Sequence, residues 1–180
     1  GVQARGRRLP RLTRRQFLAL TGAAAALPQV IASRVLGADG QPGANGRLTV
    51  AHIGIGGMGT VHLKNMKLFR DRGMVNIAAV CDADEKRLAA AIKEVGPGVT
   101  PYRDYRYILE RRDVDAVVIA TPDHWHAVQC VQACETGKHV YVEKPSSVTI
   151  AEGRAMIAAA RQFKRVVQVG SQARSAKPAH

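Results

Sequence analysis

The 180-residue chain has room for one ordinary domain and a short appendage, and its 46% apolar residues suffice for one core. Its formal charge of +13 invites a nucleic-acid reading, but seven arginines and no acid lie in residues 1–37, so about half the excess belongs to that segment. A 4% aromatic content with the single Trp125 leaves little for base stacking, and nucleic acid is not expected as a partner.

Residues 1–38 read as a twin-arginine signal peptide. An arginine-rich start leads into Thr13-Arg14-Arg15-Gln16-Phe17-Leu18 and then into a weakly apolar stretch, 17–32, made largely of Ala, Leu and Gly. That stretch is shorter than the roughly 20 apolar residues of a spanning helix and is interrupted by Thr21, Gly22, Pro28 and Gln29. The expectation is therefore export of a folded protein to the periplasm by the twin-arginine machinery. Residues 39–46, rich in Gly, Pro, Asp and Asn, read as a linker.

From Arg47 onward, short apolar runs alternate with turns and amphipathic stretches. Strands are predicted over 48–53, 76–81, 99–102, 114–120, 139–142 and 166–169. Helices are predicted over 59–70, 84–95 (ended by Gly96-Pro97-Gly98), from a cap at Asp104 to about 111, over 126–135 (closed by Gly137), and from a Thr149/Glu152 capping box to 165. Six strands with intervening helices predict an α/β, doubly wound parallel sheet of Rossmann type, order 3-2-1-4-5-6, over residues 47–172. Residues 173–180 would begin a substrate domain that is otherwise absent.

Gly54-Ile55-Gly56-Gly57-Met58-Gly59 satisfies G-x-G-x-x-G, a string that means little alone in a chain with 17 glycines. Its context gives it weight, because it follows a predicted strand and opens a predicted helix. Gly54 can make the tight turn, Gly56 admits a pyrophosphate to the backbone, and Gly59 lets helix and strand pack closely. Asp82, 23 residues beyond Gly59 at the end of the second strand, can accept hydrogen bonds from the adenosine ribose hydroxyls, or can be a plain helix N-cap. NAD is thereby favoured; NADP stays open because Lys86 and Arg87 lie close enough in sequence to offset repulsion of a 2′-phosphate.

The ends of the fourth and fifth strands carry Thr121-Pro122-Asp123-His124-Trp125-His126 and Glu143-Lys144-Pro145. In an open α/β sheet both clusters face the ligand crevice at the switch point. A lysine there can stabilise a substrate alkoxide and pass a proton while hydride moves to or from a nicotinamide. His124 and Trp125 read either as a wall for a sugar ring or as helix cap and core. Cys130 and Cys134 read as buried thiols, and the three cysteines and six histidines show no metal-ligand or disulfide pattern.

On these segments, and above all on Glu143-Lys144-Pro145, the sequence resembles the Gfo/Idh/MocA oxidoreductases over about 47–175. Gln168-Val169-Gly170-Ser171-Gln172 with Arg174-Ser175 is similar to their exported branch. The resemblance implies that Lys144 is the catalytic residue, touching nicotinamide and substrate. It also implies that Glu143 lies along the nicotinamide ribose, that Thr121, Pro122 and His126 line the cofactor channel, and that the Lys144-Pro145 bond is cis.

Three functional readings follow. The first is an NAD(P)-dependent dehydrogenase of a sugar, cyclitol or related polyol, with this chain as its nucleotide-binding domain, inactive alone and homo-oligomeric when full length. The second is an exported NAD-dependent glycoside hydrolase that oxidises its sugar transiently. The third is a non-catalytic cofactor-binding module.

Overall fold

The computed structural model describes residues 46–175. The expected signal peptide, most of the linker and residues 176–180 lie outside the described residues. No described helix is long and apolar enough to cross a membrane.

Six strands form one sheet: β1 (Leu48–Ile53), β2 (Val75–Cys81), β3 (Thr100–Tyr102), β4 (Ala116–Ile119), β5 (His139–Glu143) and β6 (Val167–Gly170). Their order is β3-β2-β1-β4-β5-β6 and every pairing is parallel, as expected from the sequence. Parallel strands covered on both faces must be apolar along their whole length. Accordingly Ala51 and Ile53 face one cluster with Val117, Ile119, Val140 and Val142, while Val50 faces the other with Ile77 and Val80. Each fully buried branched side chain contributes about 1.5–3 kcal/mol.

Five helices connect the strands: α1 (Gly57–Asp71), α2 (Glu85–Val95), α3 (Arg106–Leu109), α4 (Asp123–Glu135) and α5 (Ile150–Gln162). Leu63 of α1 and Ala91 and Val95 of α2 cover one face. Cys130, Ala133 and Cys134 of α4 and Met156 and Ala159 of α5 cover the other. Both C-terminal glycine stops hold, with Gly96 at φ 80° and Gly137 at φ 83°. The Thr149/Glu152 capping box is complete.

The element boundaries differ from expectation by two residues or more in five places. Helix α1 starts at Gly57, two residues early, because the glycine turn itself enters the helix. Helix α4 starts at Asp123, not 126; Pro122 holds the N-cap position and Asp123 places a carboxylate in the first turn, where the helix dipole favours it. The helix expected up to 111 is the single turn α3. Asp104 does serve it, accepting the Arg106 N–H at 2.9 Å, but the Arg111 guanidinium is then drawn to Asp113 and the Ala78 carbonyl. Strand β4 starts at Ala116 because the Asp115 carboxylate takes the Thr49 N–H at 2.8 Å in place of a ladder carbonyl. Helix α5 ends at Gln162, and Lys164, at φ 53°, turns the chain back.

Candidate functional site

The glycine turn after β1 is shaped by what a side chain would strike. Gly54 has φ 87°, and a Cβ there would stand 2.7 Å from the backbone of Ala120 and Thr121. A Cβ on Gly59 would run into the Gly54 carbonyl, so close packing of α1 on β1 needs glycine at this point. A Cβ on Gly56 would meet only the Arg87 guanidinium, 2.8 Å away, and one on Gly57 would meet nothing within 4 Å. The turn is thus closed toward the protein and open toward the cleft.

Helix α1 has no side-chain cap. Helices α2 and α5 are capped by Asp84 and Thr149. An uncapped N-terminus leaves free N–H groups and partial positive charge at the cleft, as an anion site requires.

Asp82, at the end of β2, is buried. Its Oδ2 accepts the Ile55 N–H at 2.8 Å and its Oδ1 the Asp84 N–H at 2.9 Å. The helix N-cap is Asp84 and not Asp82. Ile55 itself is in the core.

At the ends of β4 and β5 the two expected clusters meet. Thr121 Oγ1 donates to Gln129 Oε1 at 2.8 Å. His126, 1% exposed, has Nε2 2.8 Å from the Thr121 carbonyl and Nδ1 2.6 Å from the Pro145 carbonyl. Carbonyls only accept, so whichever ring nitrogen carries a proton donates to its carbonyl. His126 therefore ties the turn after β4 to the turn after β5. The Lys144-Pro145 peptide bond is cis. His124 does not cap α4, and Trp125 is not core: both lie in the first turn of α4, and Trp125 is exposed, its ring edge toward Tyr105.

Glu143 is the most heavily bonded side chain of the site. His62 Nε2 lies 2.6 Å from Oε1, Gln172 Nε2 donates to the same oxygen at 3.1 Å, and the Lys144 N–H donates to Oε2 at 3.0 Å. Burial pushes this carboxyl up, but the bonds from His62, Lys144 and Gln172 together hold it below the ordinary carboxylate range. Lys144 beside it is exposed.

One open cavity of about 760 Å³ runs across these parts, within the usual range for a cofactor site. Gly54, Gly56, Gly57, Met58 and Asp82 wall one end; Thr121, Pro122, His126, Glu143 and Lys144 wall the other. Of the expected residues only Ile55, Gly59 and Pro145 are set behind the wall. Arg87, named from the sequence as a possible neighbour of a 2′-phosphate, lines the cavity, whereas sequence reasoning missed Arg103 and Arg106, which also line it, and His62 and Gln172, which support it. For His62 a signal existed, since helical spacing from Gly59 and Leu63 puts this polar ring on the buried side of α1. Among the described residues no group of His, Cys, Asp or Glu could hold a metal.

A doubly wound sheet with a glycine cradle, an acidic residue ending the second strand and a cavity across the switch point defines a dinucleotide-binding domain. Residues 48–171 match the Gfo/Idh/MocA oxidoreductase family, NAD-binding Rossmann fold, and the chain belongs to that family. It is 34% identical over 119 residues to an inositol 2-dehydrogenase of Salmonella typhimurium, covering 66% of this chain and 35% of that protein. It is 32% identical over 114 residues to a glycosyl hydrolase family 109 protein of Shewanella putrefaciens, covering 59% of this chain and 25% of that one. Among solved structures, the WlbA dehydrogenase of Chromobacterium violaceum, in complex with NADH and UDP-GlcNAcA, superposes with a TM-score of 0.66 at 28% identity, over 74% of this chain and 38% of that one. The chain thus spans about a quarter to two fifths of the proteins it resembles.

Proposed function

We propose that this chain is the nucleotide-binding part of a longer, exported NAD(P)-dependent oxidoreductase that moves hydride between nicotinamide and a sugar, cyclitol or related polyol. The observation that carries the reading is that the exposed Lys144 and the glycine cradle open on one cavity. The residues fit a dinucleotide: the turn 54–59 and the uncapped start of α1 would hold the pyrophosphate, and Asp82 the ribose hydroxyls. When bound, the nicotinamide supplies a hydride acceptor or donor. Lys144 would hold the substrate oxygen and carry its proton, Glu143 would fix the turn that presents Lys144, and Thr121 and His126 would shape the wall between them.

Replacing Lys144 by Met in the protein that carries this chain should lower turnover with polyols by about 10²–10⁴-fold while NADH still binds. Turnover independent of Lys144 would remove the proposal. Similarity to a glycosyl hydrolase family 109 protein favours one second reading, in which the same machinery cleaves a glycoside with no net NADH. Release of a chromogenic aglycone without change in nicotinamide absorbance separates the two.

Export rests on the leader pattern at Arg14-Arg15. A reporter fused after residue 45 should reach the periplasm and be retained inside in cells that lack the twin-arginine translocase. Self-association of the longer protein is part of the same proposal, and its mass by light scattering tests it.

A further inference from the structure

Resting on that reading, we propose that His62 is a positioning residue: it anchors the Glu143 carboxylate, and through it the backbone of Lys144, to the helix that opens at the glycine cradle. Two distant segments and the amide of the next residue converge on this one carboxylate. His62 comes from α1, 81 positions away in sequence, at 2.6 Å. Gln172 comes from the turn after β6, and the Lys144 N–H from the turn after β5.

The space for this meeting is built. A Cβ on Gly170 would stand 2.9 Å from Glu143 Oε1 and 2.8 Å from the Tyr141 hydroxyl, so β6 carries no side chain where the carboxylate lies. The His62 ring also meets Tyr141 edge-on, with centroids 5.1 Å apart and planes at 68°. Glu143 is only 4% exposed, and a buried carboxylate is tolerated only while its donors remain. Without His62, Oε1 keeps one donor, and the carboxylate gains by moving toward water. Its other oxygen holds the Lys144 N–H, so the lysine turn moves with it. Helix α1 begins at Gly57, so His62 links the lysine turn to the helix that opens at the glycine cradle.

The test compares wild type with His62→Leu, His62→Gln, Gln172→Leu and Gly170→Ala in the whole 180-residue chain. The first readout needs no cofactor: hydrogen exchange of the Lys144 amide, followed by NMR. It should quicken by about tenfold or more in His62→Leu and in Gly170→Ala, and return toward wild type in His62→Gln, whose amide can still donate. The second readout is affinity for NADH against ADP-ribose, which lacks the nicotinamide. His62→Leu should weaken NADH by about tenfold and leave ADP-ribose nearly unchanged.

Gln172→Leu, which removes the second donor from the same oxygen, should act in the same direction and keeps the test decisive if His62→Leu does not fold. Unaltered Lys144 exchange and an unaltered NADH to ADP-ribose ratio in the folded variants would overturn the link. A wild-type chain that fails to bind NADH while Lys144 exchange still answers to His62 would overturn the proposed function and leave the link standing.

Discussion

The Asp82 carboxylate and the Ile55 amide are joined at 2.8 Å across 27 residues, so the end of β2 holds the glycine turn from the side. The other oxygen of Asp82 starts the next turn through the Asp84 N–H. Each oxygen keeps a further lone pair for the cleft. Asp82→Asn replaces one acceptor by a donor that faces an N–H. Stability should fall by about 1–3 kcal/mol, read from urea denaturation. NADH affinity should fall as well, and an unchanged affinity would deny Asp82 its ribose role.

The two positive-φ glycines of the cradle should respond unequally to alanine. Gly54→Ala combines an unfavourable φ of 87° with backbone atoms 2.7 Å from the new methyl group, and should cost about 3 kcal/mol or more. Gly57→Ala meets open space at φ 33° and should cost about 1 kcal/mol. Denaturation midpoints of the two variants give the comparison directly.

His52 sits one residue before the end of β1, fully buried, with both ring nitrogens lacking a hydrogen-bond partner. Burial first, and repulsion from His62 second, lower its pKa from 6.5 to about 3. The neutral ring is the folded form, so between these values the unfolded chain binds the extra proton. Stability is intact above about pH 6.5 and is lost as pH falls toward 3, by up to about 5 kcal/mol. His52→Leu should flatten denaturation midpoints between those limits and raise stability at neutral pH. A slope unchanged by the substitution would assign the acid sensitivity to other groups.

Cys81, Cys130 and Cys134 are free and buried. Burial pushes the Cys81 and Cys130 thiols up to about 12, so neither is a thiolate at neutral pH. A thiol reagent should leave the native chain unlabelled and modify all three in guanidinium. Fast native labelling of Cys130 or Cys134 would mean that the α4 face opens readily.

Strand order, the glycine cradle and both clusters at the strand ends were legible because each is written in neighbouring residues: an alternation, a turn string, a strand terminus. The ends of elements were less so. Helix α4 starts at Asp123, three residues before the apolar run from His126 onward, because Pro122 takes the N-cap position and Asp123 places a carboxylate in the first turn. Asp104 promised a long helix that Arg111 ends by reaching back to the Ala78 carbonyl. Glu143 was recognised, but its partners His62 and Gln172 were not, since they are brought to it across 81 and 29 residues by the winding of the sheet. No local periodicity carries such a pairing. His126 was recognised as part of the wall, yet its bonds to two backbone carbonyls emerge only when the two turns are set side by side.

Strands β1 and β4 pair directly at the centre of the sheet, where the chain reverses its direction of winding. The first three strands and the last three are therefore two consecutive stretches of sequence joined covalently through residues 110–113, of which Glu110, Arg112 and Asp113 are exposed. A molecule lying across the cleft touches both stretches and acts as a removable brace between them, whose strength rises with its free concentration. Protease cutting at that junction then becomes a gauge of occupancy: the two pieces of a nicked chain should stay together with dinucleotide present and drift apart without it.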